Sequence, residues 1–396
     1  MKCFHGGKIL LKEGLFADKA VYTENGIIKD IVAADAVTRC ANAEMINLKG
    51  NFLLPGFIDI HVHGGGGADF MDGAVSDMLL AAETHLCHGT TTIFPTTMSA
   101  AFDKIEKTIL NYRQLSKCEG AGDILGGLHL EGPFINPKMG GAQRRDLIYP
   151  PTEKTIEAIR QNSDTIARIS CAPEIENVLE MAETLAPFGI QFSLGHTAAT
   201  YEQAELAVLA GFTSVTHLYS ATSGFQKINQ KVHIGVTQAG YGIDELYVEL
   251  IADGCHVPKE LLRLVYRLKG ADKICLVTDA MRAAGTNETE SYLGEICTEN
   301  RVIIDDGVAK LPDRSSFAGS IATMDSVFRF AVCDAGLPIK DVSKMMSLNP
   351  AKLMNIENKK GSIEKGKDAD FVVLDDVFNV TGVYVRAVKK LSLIHI

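Results

Sequence analysis

Histidines and carboxylates stand at the ends of short apolar segments in this chain, a pattern that can bind a metal ion. His61 and His63 lie two positions apart in DIHVH, so on a strand both side chains point to the same side. Imidazole nitrogens combined with carboxylate oxygens suit zinc or a similar divalent cation. Five further segments, LHLEG, LGHT, VTHLYS, ADGCH and LVTDA, each place one candidate ligand at or near the segment end: Glu131, His196, His217, His256 and Asp279. Their joint placement predicts a metal site.

Eight apolar segments alternate with helical stretches and must position these side chains. The segments are FLLPGFIDIHVH, GTTTIFPTT, ILGGLHLEG, ARISCAPE, IQFSLGHT, TSVTHLYS, YVELIADG and ICLVTDA. Such alternation over roughly 300 residues predicts parallel strands with crossover helices. Eight units favour a (β/α)8 TIM barrel, whereas an open doubly wound sheet would be expected to show a GxGxxG turn, which is missing. Catalytic groups of a barrel come from the carboxyl ends of its strands, so these residues are expected to meet at one mouth.

The two ends of the sequence consist of short β-rich runs, unlike the alternating strands and helices of the middle. KAVYTENGIIKDIVA has two β-rich runs around Asn25-Gly26, a strong hairpin signal, and DFVVLD and VTGVYVRAV near the other end also read as strands. Neither end has enough strands to be stable alone. The predicted fold is therefore α/β, with residues 1–54 and 356–396 forming one small β-sandwich domain and residues 55–355 forming the barrel.

Composition argues against a nucleic-acid-binding, membrane-spanning or secreted protein. The 396 residues are 46% hydrophobic and 22% charged, and the net charge of −10 is spread without blocks, so no nucleic-acid footprint is expected. No apolar run approaches the roughly 20 residues of a membrane span, and the N-terminus lacks the apolar region of a signal peptide. Nine dispersed cysteines without a CxxC pair, Cys40 among them, favour reduced thiols. We expect a soluble cytoplasmic protein.

Other histidines and glycines are given plainer interpretations. His85 and His88 are interpreted as the end of a helix that leads into a strand, and His129 as a residue packed inside the barrel. HGGGG at 63–67 lacks the Lys-Ser/Thr of a P-loop and is interpreted as a loop that lets backbone approach a metal or substrate.

Several motifs together resemble the amidohydrolase superfamily, and more narrowly the N-acetylglucosamine-6-phosphate deacetylases. They are LPGFIDIHVHG, GLHLEGPFINPKMGGAQ, LGHT, THLYS, LVTDAM, FAGS and GSIEKGKDADFVVLD, of which HLEGPF followed by GAQ is specific to the narrower family. The resemblance implies a metal-bearing barrel capped by a β-sandwich, usually in a homodimer. It also implies removal of the acetyl group from N-acetyl-D-glucosamine 6-phosphate, giving glucosamine 6-phosphate and acetate in amino-sugar catabolism.

The same resemblance implies roles for individual residues. Glu131, His196 and His217 would hold the principal metal, and His61 with His63 would allow a second ion. Zinc is the expected metal, with iron, manganese or cobalt as alternatives. Asp279 would act first as general base and then as acid. Contacts to the sugar and the acetamide are implied for Ala142, Gln143, Ser220, Ala221, His256, Phe317, Ala318, Gly319 and Ser320.

Two departures from the family pattern concern substrate recognition. Ser220 stands where the family often has an Asn. The segment GFQKINQKVHIGV lacks the Arg that commonly binds the 6-phosphate, often from the neighbouring subunit. Lys227 or Lys231 is expected to supply the charge there, although Lys does not offer the bidentate fork of Arg.

Three alternatives remain at this point. The first is a deacetylase that acts on another N-acetyl amino-sugar phosphate, such as N-acetylgalactosamine 6-phosphate. A ring-amide hydrolase would often bridge two metals with a carboxylated Lys, whereas Glu131 stands at the comparable place here. A non-catalytic scaffold would be expected to have lost a ligand or the base, and this chain retains all of them.

Overall fold

The computed structural model describes residues 1–39 and 43–390. Cys40 and the last part of the predicted sandwich, residues 391–396, therefore lie outside the described residues. The strands, in chain order, are β1 (Lys2–His5), β2 (Lys8–Leu10), β3 (Leu15–Phe16), β4 (Lys19–Glu24), β5 (Ile27–Ala33), β6 (Glu44–Asn47), β7 (Phe52–Pro55), β8 (Phe57–Val62), β9 (Gly64–Gly65), β10 (Ala68–Asp69), β11 (Thr90–Thr97), β12 (Leu128–Glu131), β13 (Ile166–Cys171), β14 (Gln191–Leu194), β15 (Phe212–Val215), β16 (Gln226–Ile228), β17 (Lys231–His233), β18 (Tyr247–Ile251), β19 (Ile274–Val277), β20 (Glu290–Tyr292), β21 (Arg301–Asp305), β22 (Val308–Lys310), β23 (Phe371–Leu374), β24 (Val380–Val385) and β25 (Val388–Lys389).

Helices connect most of the central strands. The α-helices are α1 (Val75–Cys87), α2 (Phe102–Leu115), α3 (Glu153–Gln161), α4 (Val178–Leu185), α5 (Tyr201–Leu209), α6 (Val236–Gly242), α7 (Lys259–Lys269), α8 (Met324–Arg329), α9 (Ile339–Ser343) and α10 (Asn349–Leu353). Short 3-10 turns cover Ala34–Arg39, Ala121–Ile124, Pro137–Met139, Arg145–Leu147, Ala186–Phe188 and Thr298–Asn300, and two π-helical turns cover Phe330–Asp334 and Lys344–Leu348. Among the described residues, no helix is long and apolar enough to cross a membrane.

Eight parallel strands form the barrel, as predicted. Their order is β8, β11, β12, β13, β14, β15, β18 and β19, so each strand lies beside the next one along the chain. The last strand returns to the first, because Asp279 N donates to His61 O at 2.9 Å and His63 N donates to Ala280 O at 2.8 Å. Since all strands run the same way, their carboxyl ends meet at one mouth.

Strands from both chain ends form two further sheets. The four-stranded sheet has the order β5-β4-β1-β6 and the six-stranded sheet the order β25-β24-β23-β7-β2-β3. Phe4 packs edge-on against Phe371 with ring centroids 5.0 Å apart, within a core that both sheets line. The predicted sandwich is confirmed as a fold, while the bounds 1–54, 55–355 and 356–396 stay a prediction.

The segment FLLPGFIDIHVH is two strands and not one. β7 pairs with β23 of the six-stranded sheet, and β8 pairs with β11 of the barrel. Gly56 lies between them, where an added Cβ would stand 2.0 Å from Thr91 Oγ1. The chain can pass from one sheet to the other at this point because glycine leaves room for the neighbouring strand.

The predicted hairpin at Asn25-Gly26 is present. β4 and β5 pair antiparallel up to Glu24 opposite Ile27. Asn25 has a φ of 52° and Gly26 a φ of 81°, as a tight type I′ hairpin requires. The eight cysteines within the described residues are all free thiols.

Candidate metal centre

The predicted ligands do meet at the mouth of the barrel. His61 lies in β8 and His63 directly follows it, while Glu131 ends β12. The other three lie two residues beyond strand ends, and each has a left-handed backbone: His196 (φ 47°), His217 (φ 29°) and Asp279 (φ 48°). Such backbone conformations are uncommon outside glycine and concentrate at functional sites.

Glu131, His196 and His217 form the first of two clusters. Glu131 Oε1 lies 3.1 Å from His196 Nε2 and 2.8 Å from His217 Nε2, and the two imidazole nitrogens are 3.2 Å apart. All three side chains are buried. His196 Nδ1 donates to the carbonyl of Met139 at 2.9 Å, so Nε2 is left to face Glu131.

His61, His63 and Asp279 form the second cluster beside the first. Asp279 Oδ1 lies 3.2 Å from His63 Nε2 and 3.4 Å from His61 Nε2. Glu131 stands between the clusters, since its Oε1 is 3.4 Å from His61 Nε2 and its Oε2 is 3.3 Å from His63 Nε2. One carboxylate is thus shared by both groups of ligands.

The electrostatics of the site keep both carboxylates ionised. Burial raises the pKa of Glu131, but the charges of His61 and His196 and hydrogen bonds from His196 and His217 outweigh burial and hold it well below its usual range. Burial also raises the pKa of Asp279, and the charge of His61 with the hydrogen bond from His63 lowers it further than burial raises it. For His63, burial lowers the pKa, whereas hydrogen bonds to Asp279 and Glu131 raise it to about 9. Two buried carboxylates need positive charge beside them, which imidazolium protons or a divalent cation can provide.

The donor atoms fit a divalent cation. Ligand atoms about 2.1 Å from a tetrahedral ion lie roughly 3.4 Å apart. The separations between carboxylate oxygen and imidazole nitrogen within each cluster run from 2.8 to 3.4 Å. His61 Nε2 is also buried with no hydrogen-bond partner among the described residues, although it points at both carboxylates. A lone pair buried in this way is what a metal ligand presents.

A cavity of about 400 Å³ opens above the clusters. Seven residues that were predicted to contact substrate line it: Ala142, Gln143, Ser220, Ala221, His256, Phe317 and Gly319. His256 donates from Nδ1 to Asp253 Oδ2 at 2.7 Å, its ring centroid lies 4.7 Å from that of Phe317 with the rings tilted by 53°, and its Nε2 has no hydrogen-bond partner among the described residues. His256 can therefore offer Nε2 to a polar ligand.

Two predicted contacts, Ser320 and Ala318, do not line the cavity, and a third, Gln143, lines it but is hydrogen-bonded to protein atoms. Gln143 donates to Glu131 Oε2 at 2.9 Å and accepts from Ser99 N at 2.7 Å, so its amide orients the carboxylate. Ser320 is fully buried and donates to Thr278 O at 2.5 Å, where it supports the strand end that bears Asp279. Ala318 packs in an apolar cluster behind the cavity wall. Ser320 and Ala318 are buried and do not line the cavity, and direct substrate contact by either residue stays a prediction.

Lys227 and Lys231 lie on the exposed hairpin of β16 and β17, and neither lines the cavity. A phosphate contact from either residue would therefore require a neighbouring subunit, and it stays a prediction.

Lys138 lines the cavity instead, and sequence reasoning missed it. Its ammonium forms no ion pair or hydrogen bond with another of the described residues. It lies in the 3-10 turn that also supplies the Met139 carbonyl to His196. The motif GPFINPKMGGAQ contains the cation, but only the fold brings this turn over the mouth.

Two charged residues inside the barrel were also missed. Arg168 in β13 and Glu249 in β18 are fully buried and form an ion pair. The signal was present in the sequence, because ARISC and YVELI each place one charge inside an otherwise apolar strand. His85 and His129 were interpreted correctly: His85 Nε2 donates to Gly64 O at 2.8 Å, and His129 is bonded to Ser170 Oγ at 2.7 Å.

The glycine loop approaches protein atoms and not the ligand cavity. An added Cβ would stand 2.3 Å from Ala68 O at Gly64 and 2.3 Å from Thr84 Oγ1 at Gly66. These contacts pack the loop against Ala68 and against Thr84 of α1, whereas approach of its backbone to a metal or substrate stays a prediction.

A (β/α)8 barrel with histidine and carboxylate clusters at its mouth defines a class of hydrolytic enzymes. The family model of the amidohydrolase family matches residues 52–389. An N-acetylglucosamine-6-phosphate deacetylase of Lysinibacillus sphaericus is 36% identical over 329 residues, which cover 83% of this chain and 82% of that protein.

Solved structures agree with the sequence match. The N-acetylglucosamine-6-phosphate deacetylase of Pasteurella multocida superposes with a TM-score of 0.91 at 29% identity, covering 98% of this chain and 99% of that one. A mutant of the Mycobacterium smegmatis deacetylase in complex with N-acetyl-D-glucosamine-6-phosphate has a TM-score of 0.88 at 28% identity and covers 99% of both chains. The chain therefore belongs to the amidohydrolase family and, within it, to the N-acetylglucosamine-6-phosphate deacetylases.

Proposed function

We propose that this chain is a metal-dependent hydrolase that removes the acetyl group from N-acetyl-D-glucosamine 6-phosphate, releasing acetate and glucosamine 6-phosphate. The observation that carries the proposal is the position of Asp279. Its ionised carboxylate lies 3.2 Å from His63 Nε2 and lines the cavity together with Glu131, His196 and His217. A base is thus held beside the metal ligands and in reach of a bound amide.

Asp279 handles the protons in the proposed reaction. It accepts a proton from the attacking water as the acetyl carbon becomes tetrahedral. It then donates that proton to the departing nitrogen, so that the amine leaves as a neutral group. A divalent cation held by the two clusters would polarise the acetyl carbonyl and acidify water toward a pKa of about 7.

Residues of the cavity wall orient the substrate. His256 presents Nε2 to a sugar hydroxyl or phosphate oxygen, because its Nδ1 is held by Asp253. Lys138 supplies a cation for the phosphate within the same chain. Fixing the acetamide relative to Asp279 lowers the entropic part of the barrier.

Zinc is the proposed metal, with up to two ions per chain, because the donors are four imidazoles and two carboxylates. We also propose a homodimer, in which Lys227 or Lys231 of one subunit approaches the cavity of the other, and a cytoplasmic location. The homodimer proposal is supported by the exposed hairpin, where Phe225 is 63% and Val232 56% exposed.

The first test is a deacetylation assay that compares three substrates: N-acetylglucosamine 6-phosphate, its galactosamine epimer and the unphosphorylated sugar. Each is assayed with chelator and with added zinc. Turnover restricted to the glucosamine phosphate and abolished by chelator is expected. Absence of turnover on all three, with metal bound, would contradict the proposal.

Asp279→Asn tests the role of the base in the same assay. The amide keeps the size of the side chain but cannot take up the proton, so we expect kcat to fall by at least about 100-fold while the ion held by Glu131, His196 and His217 stays bound. Elemental analysis of the purified variant measures the metal. Turnover near that of the unmodified enzyme would remove Asp279 from the role.

A further inference from the structure

A fully buried ion pair lies inside the barrel beneath the mouth. Arg168 Nη2 contacts Glu249 Oε1, and the guanidinium also donates to Ile60 O and to Ser214 Oγ, each at 3.3 Å. Burying two charges costs several kcal/mol each, and apolar residues of similar volume are often as stable or more so. The stability of the barrel alone therefore gives no reason for this pair.

The second oxygen of Glu249 is aimed at a metal-ligand histidine. His61 Nδ1 lies 3.2 Å from Glu249 Oε2. An ionised carboxylate can only accept, so Nδ1 is the donor and carries the ring proton. The lone pair of the neutral ring is then on Nε2, the atom that faces Glu131 and Asp279 at 3.4 Å.

Arg168 determines which oxygen of Glu249 can accept a hydrogen bond from His61. Because the guanidinium occupies Oε1, the carboxylate is held with Oε2 toward His61. The backbone contact to Ile60 O, directly before His61, ties the same guanidinium to β8.

The other histidines of the site differ in whether a hydrogen bond holds the Nδ1 atom of the ring. His196 Nδ1 is held by the Met139 carbonyl at 2.9 Å. The Nδ1 atoms of His63 and His217 are buried without a hydrogen-bond partner among the described residues. In the cluster of His61, His63 and Asp279, the hydrogen bond that His61 Nδ1 donates to Glu249 is thus the contact that fixes an imidazole tautomer.

We infer that the Arg168–Glu249 pair is a positioning device that fixes the tautomer and orientation of His61 and thereby sets the metal affinity of the His61–His63–Asp279 cluster. Arg168 and Glu249 are positioning residues, since neither lines the cavity. The inference rests on the metal dependence in the proposed function. Partners of metal-bound histidines typically change metal affinity by 10–100-fold when removed.

Two double variants separate a positioning role from a structural one. Arg168→Met/Glu249→Leu removes both charges and the acceptor, whereas Arg168→Met/Glu249→Gln removes both charges but keeps an amide oxygen that can accept from His61 Nδ1. Both are loaded with zinc and dialysed against graded chelator, and zinc per chain is measured by elemental analysis. Circular dichroism checks folding.

The expected result is selective loss of one ion. Wild type and the Gln variant are expected to retain about two ions per chain, and the Leu variant to retain one while binding the second about 10–100-fold more weakly. Equal zinc retention by the Leu and Gln variants, whether both high or both low, would overturn the inference. Wild type that binds a single ion would overturn it as well, whereas wild type that binds none would contradict the proposed function itself.

If the Leu variant fails to fold, the tautomer is read directly in the zinc-loaded wild type, because a metal-bound imidazole carries at most one ring proton. Nitrogen-15 labelling of histidine, with His61→Gln to assign the signal, distinguishes a protonated Nδ1 from a protonated Nε2. A protonated Nδ1 supports the inference, and a protonated Nε2 overturns it.

Discussion

At the scale of single residues, burial and neighbouring charges shift the pKa values of the two site carboxylates in opposite directions. Burial alone would neutralise Glu131 and Asp279, yet the imidazoles around them lower both pKa values. Asp279 is therefore ionised and ready to accept a proton. The two buried carboxylates need positive charge beside them, and a bound cation would provide it in place of the protons on the ligating Nε2 atoms.

His196→Ala tests the first cluster at this scale. The substitution removes the Nε2 ligand atom and leaves Glu131 and His217 as the only ligands of the first cluster, so we expect zinc per chain to fall by about one ion. Elemental analysis after dialysis measures it. His88→Ala is the matched control, because His88 lies outside both clusters and bonds to Asp325. A full complement of zinc in His196→Ala would contradict the assignment of this ligand.

Lys138→Met tests the phosphate contact. The variant keeps the length of the side chain and removes the charge, and charge-assisted hydrogen bonds contribute about 1.5–3 kcal/mol. We expect KM for N-acetylglucosamine 6-phosphate to rise about 10–100-fold, with little change for the unphosphorylated sugar. Lys227→Met is the comparison, because the proposed homodimer would bring this residue to the cavity of the neighbouring subunit. A larger rise in Lys227→Met than in Lys138→Met would place the phosphate beside the hairpin of a neighbouring subunit.

At the scale of secondary structure elements, short polar contacts hold the barrel helices in place. Asp325 in α8 accepts from His88 Nδ1 at 3.0 Å, just beyond the end of α1, and from Arg329 at 3.1 Å. Burial raises its pKa, but the hydrogen bond and charge of His88, the Thr323 hydroxyl and Arg329 together lower it to about 2. One carboxylate thus joins the first and last parts of the helical layer.

Asp325→Asn is expected to be destabilising in a pH-dependent way. A pKa that folding lowers from 3.8 to about 2 corresponds to about 2 kcal/mol of stability. Because the folded pKa is the lower one, this stability is present above about pH 4 and is lost as the pH falls toward 2. The difference in urea midpoint between variant and wild type should therefore be large at pH 7 and shrink at pH 3.

Glu157→Gln provides the comparison for that prediction. The pKa of Glu157 is also lowered to about 2, through its hydrogen bonds with Arg160 and Gln161, but the pair lies in solvent. Solvent screening makes such pairs weak, so a smaller shift in midpoint is expected. A shift as large as that of Asp325→Asn would contradict the argument from burial.

At the scale of the whole molecule, strands from the two chain ends enclose one hydrophobic core, while the two ligand clusters lie at the mouth of the barrel. β7 pairs with β23 from the far end of the chain and leads directly into β8, which bears His61. The small sheets therefore anchor the first barrel strand without reaching the cavity.

Phe371→Ala should separate stability from catalysis. Phe371 is fully buried against Phe4, and truncating such a ring costs about 3–5 kcal/mol. We expect a clear fall in the urea midpoint with kcat unchanged below the unfolding transition. Phe188→Ala, at a 48% exposed position, is the control and should change the midpoint little. A large drop in kcat in folded Phe371→Ala would show that the sheets act on the site.

Local pattern was sufficient for the barrel strands and for the residues at their ends. The period-two spacing of His61 and His63 places both on one face, and parallel strands must bring their carboxyl ends together. The Asn25-Gly26 hairpin was predictable for the same reason, since its backbone conformation is a property of two adjacent residues. The antiparallel sheet of β20, β21 and β22 was not predicted, although Leu293 and Phe317 beside it line the cavity.

The grouping of ligands depended on contacts between residues far apart in the chain. Glu131 stands between two clusters, Gln143 orients Glu131 instead of facing the cavity freely, and Lys138 lies over the mouth where Lys227 does not. Arg168 and Glu249 meet only because β13 and β18 lie across the same barrel. Such neighbours are set by how strands and loops pack in three dimensions, and no spacing along the chain encodes those distances.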